Sequence, residues 1–141
     1  MKIMAVDFGD ARTGLAVCDR TEFLASPIGV IHDYNFESTI KKVAVAVTEY
    51  DVKKVIVGHP LNMNGTRGER AEKCELFAEK LKALVDVPVM LWDERSTTVS
   101  AHQILSDNQT FGKKRKEVVD AVAATLILES YLEYRKNNPE A

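Results

Sequence analysis

Ile3-Met4-Ala5-Val6-Asp7-Phe8-Gly9, Asp10-Ala11-Arg12-Thr13 and Gly14-Leu15-Ala16-Val17 form the stretch whose reading decides the fold. The first run is short, apolar and rich in strand formers, and it stops at an aspartate and a glycine. The last four residues repeat that character. Between them, Gly9 to Thr13 has the composition of a tight turn, so the two runs predict an antiparallel hairpin. A nucleotide-binding loop would need a lysine-bearing phosphate cradle or a glycine pattern that opens a helix. Neither occurs, because the residues after Gly14 continue as strand. Residues 24 to 31 predict a third strand, and Pro27 inside it marks a sheet edge, where a missing backbone donor is tolerated.

Downstream the period changes from two to nearly four. Phe36, Ile40, Val43, Val47 and Tyr50 predict an amphipathic helix capped by Asn35. Lys54 to Gly58 is a β-branched strand, and residues 59 to 68 form a loop. A second helix carries Ala71, Cys74, Phe77, Leu81 and Leu84 on one face, with Thr66 and Glu69 at capping-box spacing near its start. Val87 to Trp92 is a fifth strand that runs into Asp93-Glu94-Arg95. A short helix from about Thr97 to Leu105, a polar loop from Ser106 to Lys116 and a last helix from about Glu117 to Arg135 complete the pattern. Strands separated by helices pair in parallel through right-handed crossovers, whereas the opening strands pair antiparallel. The expected fold is therefore α/β: a mixed five-stranded sheet, three antiparallel strands followed by parallel ones, with helices on both faces.

At 141 residues the chain is expected to form one domain over 1–141. Its 45% hydrophobic and 28% charged residues are ordinary for a globular protein. No apolar run nears the ~20 residues of a membrane helix, and the N-terminus lacks a signal-peptide pattern, so a cytoplasmic location is expected. Cys18 and Cys74 lie far apart and suit buried small hydrophobes better than zinc ligands. His32, His59 and His102 are scattered, which leaves no histidine cluster for zinc, although His59 falls in the central loop. A net charge of −2 gives no global basic footprint, but it does not describe local patches.

Three carboxylates stand out by their surroundings. Asp7 ends an apolar strand, Glu94 follows the fifth strand, and Asp120 lies among Val118, Val119, Ala121, Val122, Ala123 and Ala124. An unpaired carboxylate in such a setting would cost several kcal/mol, which a bound cation offsets. Asp120 shares a helix face with Ala123, Ala124 and Ile127, and small alanines let that helix approach the strand ends. Converging carboxylates suit a hard ion such as Mg²⁺ (or Mn²⁺). Two such ions about 4 Å apart activate water and stabilise the leaving oxygen in phosphodiester hydrolysis. Asp7, Glu94 and Asp120 are thus candidate catalytic residues and metal ligands. The pattern alone does not choose between Glu94 and its neighbour Asp93.

Candidate substrate contacts surround them. Lys113-Lys114-Arg115-Lys116 is the one dense basic run, expected as a loop just before Asp120 that is either a solvated charge run or a phosphate contact. Arg12, Arg67, Arg70 and Arg95 lie near the same rim, with guanidinium forks suited to phosphate. Asn62 and Asn64 sit in a turn where their amides either touch a backbone or close the loop.

Taken together, these motifs resemble the YqgF/RuvX family of pre-16S rRNA nucleases, also described as Holliday-junction-resolvase-like. The matching segments are Met4 to Gly9 with Arg12 to Val17, Ala25-Ser26-Pro27, Val55 to Gly65, Asp93-Glu94-Arg95-Ser96-Thr97-Thr98, and Lys116 to Ala124. They run in order over nearly the whole chain. The resemblance implies a ribonuclease H-like fold and an Asp, Glu, Asp metal triad on Asp7, Glu94 and Asp120, which favours Glu94 over Asp93. It also implies Mg²⁺-dependent cleavage of structured RNA, at the 5′ end of pre-16S rRNA. The alternatives are resolution of branched DNA, which needs two cuts and hence a dimer, and a non-catalytic RNA-binding module. Monomer and homodimer both stay open. His59 and Ser96 stand where the family more often has leucine, and neither belongs to the triad.

Overall fold

The hairpin forms as its composition dictates. In a computed structural model that describes residues 1–62, 64–93 and 112–139 (the backbone alone for 112–121), Ile3–Asp7 is strand β1 and Arg12–Cys18 is strand β2. They pair antiparallel, with Asp7 opposite Gly14 and Met4 opposite Val17. Ala25–His32 is β3, antiparallel to β2 with an irregularity between Leu15 and Ala16. The remaining elements are α1 (Phe36–Glu49), β4 (Lys54–His59), α2 (Glu69–Lys82), β5 (Val89–Asp93) and α3 (Gly112–Asn137). The sheet order is β3-β2-β1-β4-β5, with β4 parallel to both β1 and β5. Pro27 therefore lies on an edge strand, opposite Ala16 and beside the irregularity in the β2–β3 ladder, a place where a missing backbone donor is tolerated.

Alternation sorts the strands into two cores. Met4, Val6, Val55 and Val57 face α1 and α2 and pack on Ile40, Val43, Phe77 and Leu81. Ile3, Ala5 and Ile56 face α3 and pack on Ala124, Ile127, Leu128 and Tyr131. β1 is thus buried on both sides, and its four residues Ile3 to Val6 expose no surface. Full burial of such a side chain contributes about 1.5–3 kcal/mol. Both cysteines are buried, as their apolar settings imply.

Three local expectations are corrected. Thr66 does not cap α2: the N-cap is Gly68 with no side-chain bond, and the Thr66 hydroxyl donates instead to Asn64 Oδ1 at 2.6 Å. Leu84 falls after the end of α2 and is exposed, because the helix stops at Lys82 before another apolar turn can pack. The backbone of Lys113 to Lys116 is helical, since α3 starts at Gly112 and not near Glu117. Lysine and arginine are good helix formers, so a basic run extends a helix without any apolar stripe. The helix expected at 97 to 105 lies outside the described residues. Asn35 does cap α1, its Oδ1 accepting from the Ser38 N–H at 2.7 Å.

Candidate active site

Parallel pairing ends β1, β4 and β5 side by side. His59 is in register with Asp93, and Val6 with Val57, so Asp7 follows on beside Gly58. Asp7 continues the row of Ile3 and Ala5, the row that faces α3, and it is half-buried at the strand end. Gly58 brings no side chain to that face. On β5, Met90 and Trp92 take the α3 side, whereas Val89 and Leu91 take the other. By the same alternation Asp93 belongs to the side away from Asp7. Trp92 fastens α3 to β5: its Nε1 donates to Ser130 Oγ at 3.2 Å, and its ring meets Tyr131 edge-on at 5.2 Å.

Position 120 lies in α3 one helical turn before Ala124, which is fully buried against the sheet. Its side chain, and Glu94 and Arg95 altogether, lie outside what the structure describes, as do the side chains of Lys113, Lys114, Arg115 and Lys116. Among the described residues no three His, Cys, Asp or Glu side chains form a metal-binding group.

The turn after Asp7 is tightly built. Thr13 is buried, and its hydroxyl lies 3.4 Å from both the N–H and the carbonyl of Gly9. A Cβ on Gly9 would fall well inside van der Waals contact of the Arg12 carbonyl oxygen, so only glycine fits. Phe8 stacks on Phe77 with centroids 4.6 Å apart and meets Phe36 edge-on at 5.5 Å. The Phe8 carbonyl accepts a hydrogen bond from Arg70. Arg70 Nη1 and Lys73 Nζ both reach Asp10 Oδ1, at 3.0 and 2.6 Å. The Lys73 hydrogen bond, helped by the charge of Arg70 and opposed by partial desolvation, holds the Asp10 carboxyl below its ordinary range.

A second cluster organises the loop after β4. Glu75 of α2 accepts from Arg67 Nε at 2.8 Å and from Arg67 Nη2 at 2.5 Å, and its Oε2 lies 2.7 Å from His59 Nε2. These partners, Arg67 first, lower the Glu75 carboxyl to about 2. Asn62 Nδ2 donates to Thr66 Oγ1, and Asn64 Oδ1 accepts from the Thr66 N–H and hydroxyl, so these groups close the loop. A carboxylate with a lowered folded-state pKa contributes stability above its unfolded pKa and loses it as pH falls through the folded value. Amide exchange between Asn62 and Arg67 is therefore expected to accelerate as pH drops from about 4.5 toward 2, beyond its intrinsic pH dependence. Glu75→Gln should remove that excess, as NMR exchange measurements would show.

The structure thus brings Asp7 and Arg12 to one edge, with Arg12 opening β2 beyond the turn. It engages Asn62 and Asn64 within their own loop and Arg67 with Glu75 of α2. Arg70 was expected at the rim as a phosphate contact, whereas Lys73 was not singled out. Their three-residue spacing on α2 was the available signal.

A three-stranded meander followed by two parallel crossovers is a ribonuclease H-like fold, here with a carboxylate at the end of the first strand. Solved structures similar to it in fold include Thermus thermophilus RuvC in complex with a Holliday junction, with a TM-score of 0.58, 15% identity and coverage of 95% of this chain and 96% of that one. Fowlpox virus resolvase in complex with Holliday junction DNA has the same TM-score at 16% identity, covering 95% and 98% of the two chains. Within this class the chain belongs to the RuvX family: the family model described as "RuvX: Holliday junction resolvase" matches residues 1–134. A relative from Caldanaerobacter subterraneus subsp. tengcongensis, assigned as a pre-16S rRNA nuclease, is 40% identical over 98% of this chain and 100% of its own length. A Listeria monocytogenes relative with the same assignment is 44% identical over 94% of this chain and 98% of its own.

Proposed function

We propose that this chain is a Mg²⁺-dependent nuclease, folded as one domain over 1–141, that processes the 5′ end of pre-16S rRNA in the cytoplasm. The observation that carries the reading is Asp7: a half-buried carboxylate at the end of a fully buried strand, on the face against which α3 packs. Asp7, Glu94 and Asp120 would hold the cation. An all-oxygen anionic donor set fits a hard divalent ion. Two further observations support the triad. Alternation on β5 puts Asp93 on the wrong side for it, and Ala124, one turn after position 120, is buried against the sheet. The described helices include none long and apolar enough to cross a membrane.

When bound, the cation supplies charge neutralisation and a more acidic water for attack on phosphorus. The protein's own part is to hold geometry. The buried β1 fixes Asp7, the Gly9 turn keeps the backbone after it close to the end of that central strand, and Trp92 fastens α3 to β5. Arg12 and the basic first turns of α3 would meet substrate phosphates.

Purified protein is expected to cleave precursor rRNA with Mg²⁺ or Mn²⁺ and to fail in chelator. No cleavage of RNA or DNA under any of these conditions would overturn the reading. The family description favours a four-way DNA junction as the second substrate to test, and preference for it over precursor rRNA would replace the rRNA assignment. Neutralising Lys113, Lys114, Arg115 and Lys116 to glutamine should weaken substrate binding and flatten its salt dependence, by about 0.7–0.9 in log–log slope for each phosphate released. An unchanged slope in a binding titration would remove these residues from the interface.

A further inference from the structure

Arg70 and Lys73 occupy neighbouring positions on the first turns of α2, yet both end on a single oxygen of Asp10, sixty or more residues away in sequence. The cluster is built beyond those ion pairs. The Arg70 guanidinium lies 5.0 Å over the Phe8 ring and also donates to the Phe8 carbonyl. The Lys73 ammonium lies 5.8 Å from the centroids of both Phe8 and Phe36. The stacked Phe8–Phe77 pair, buried beneath, fixes that aromatic platform. Asp10, by contrast, is 67% exposed and stands on the turn. The aromatic and backbone contacts would keep the two cations in place if the carboxylate left, whereas the carboxylate itself is held by little else.

We propose that Arg70 and Lys73 form a phosphate-binding subsite that Asp10 fills in the free protein and yields to a phosphodiester of the nucleic-acid substrate. The charge favours the exchange, since two cations against one carboxylate leave the spot positive. A phosphodiester brings one negative charge on two non-bridging oxygens, which an Arg fork can bind bidentately, whereas Asp10 offers the pair a single oxygen. Displacing Asp10 costs little, because exposed ion pairs are weak. Asp10 lies three residues after Asp7, at most about 11 Å along the chain. The subsite would therefore take a phosphate flanking the one cut at Asp7 and orient the strand across the sheet edge.

This inference rests on the chain binding nucleic acid, and the test separates the two. Fluorescence anisotropy with a labelled structured RNA and a labelled four-way DNA junction, in chelator over a salt series, would be run on the wild type, D10N, K73Q and R70Q. Thermal melting of each would confirm folding. Asp10→Asn is expected to bind about three- to fivefold tighter, the worth of an exposed ion pair that no longer competes. Lys73→Gln is expected to bind weaker, with the salt slope reduced by about 0.7–0.9. Arg70→Gln should do the same, but it also frees the Phe8 carbonyl, so Lys73 is the cleaner variant. Wild-type binding with D10N weakened alongside K73Q would show that the cluster merely braces the turn and would overturn the subsite. Binding and slope unchanged in K73Q and R70Q would overturn it too. A folded wild type that binds neither probe would overturn the nucleic-acid reading itself, and the subsite with it.

Discussion

Asp7→Asn is expected to lower phosphodiester cleavage by about 10³-fold or more, the loss of about 4 kcal/mol of transition-state stabilisation. The substitution is isosteric and leaves the buried row Ile3 to Val6 untouched, so thermal unfolding in chelator should stay where it is or rise. What disappears is the negative charge that would hold a cation at the end of β1. Substrate binding in the absence of metal should persist, which separates a catalytic role from a positional one. Glu94→Gln and Asp120→Asn should behave alike if the three carboxylates act as one unit. Asp51→Asn is a fair control, because its exposed ion pair with Lys53 lies before the start of β4, at the other end of that strand. Retained, equally Mg²⁺-dependent cleavage in Asp7→Asn would end the metal-site reading.

Gly9→Ala is expected to damage the same site through the backbone. Its Cβ would collide with the Arg12 carbonyl, a main-chain atom that cannot rotate away. Steric overpacking of this kind costs about 1–3 kcal/mol, read as melting several degrees lower. Activity should fall further than stability predicts. The turn also holds the Thr13 contact to Gly9 and the Phe8 carbonyl that Arg70 grips, one residue from Asp7. Cleavage measured well below the melting temperature would reveal this, and full activity there would show that the turn can shift without moving Asp7.

Much of this architecture was legible in the chain itself because the signals are local. Turn chemistry at Gly9 to Thr13 set the hairpin, Pro27 marked an edge, Asn35 announced a helix start, and the β-branched run at Lys54 to Gly58 announced a buried parallel strand. Local signals also misled where a competing partner won. Thr66 had the spacing of a cap, but Asn62 and Asn64 engage its side chain first. Lys113 to Lys116 had the charge of a loop, but lysine and arginine are good helix formers, and α3 runs through them despite the unfavourable positive charge in its first turn.

By itself, then, the sequence determined the strands, most of the helices and a short list of carboxylates, since period, turn residues and burial patterns are written within a few residues of one another. Only the tertiary structure decided the rest: that Asp7 faces α3 while Asp93 does not, that Glu75 ties His59 to Arg67, and that Arg70 and Lys73 meet on Asp10. Those meetings depend on which face of each strand and helix is buried against which neighbour, a choice made by packing the two sides of one sheet at once, and no window along the chain contains it.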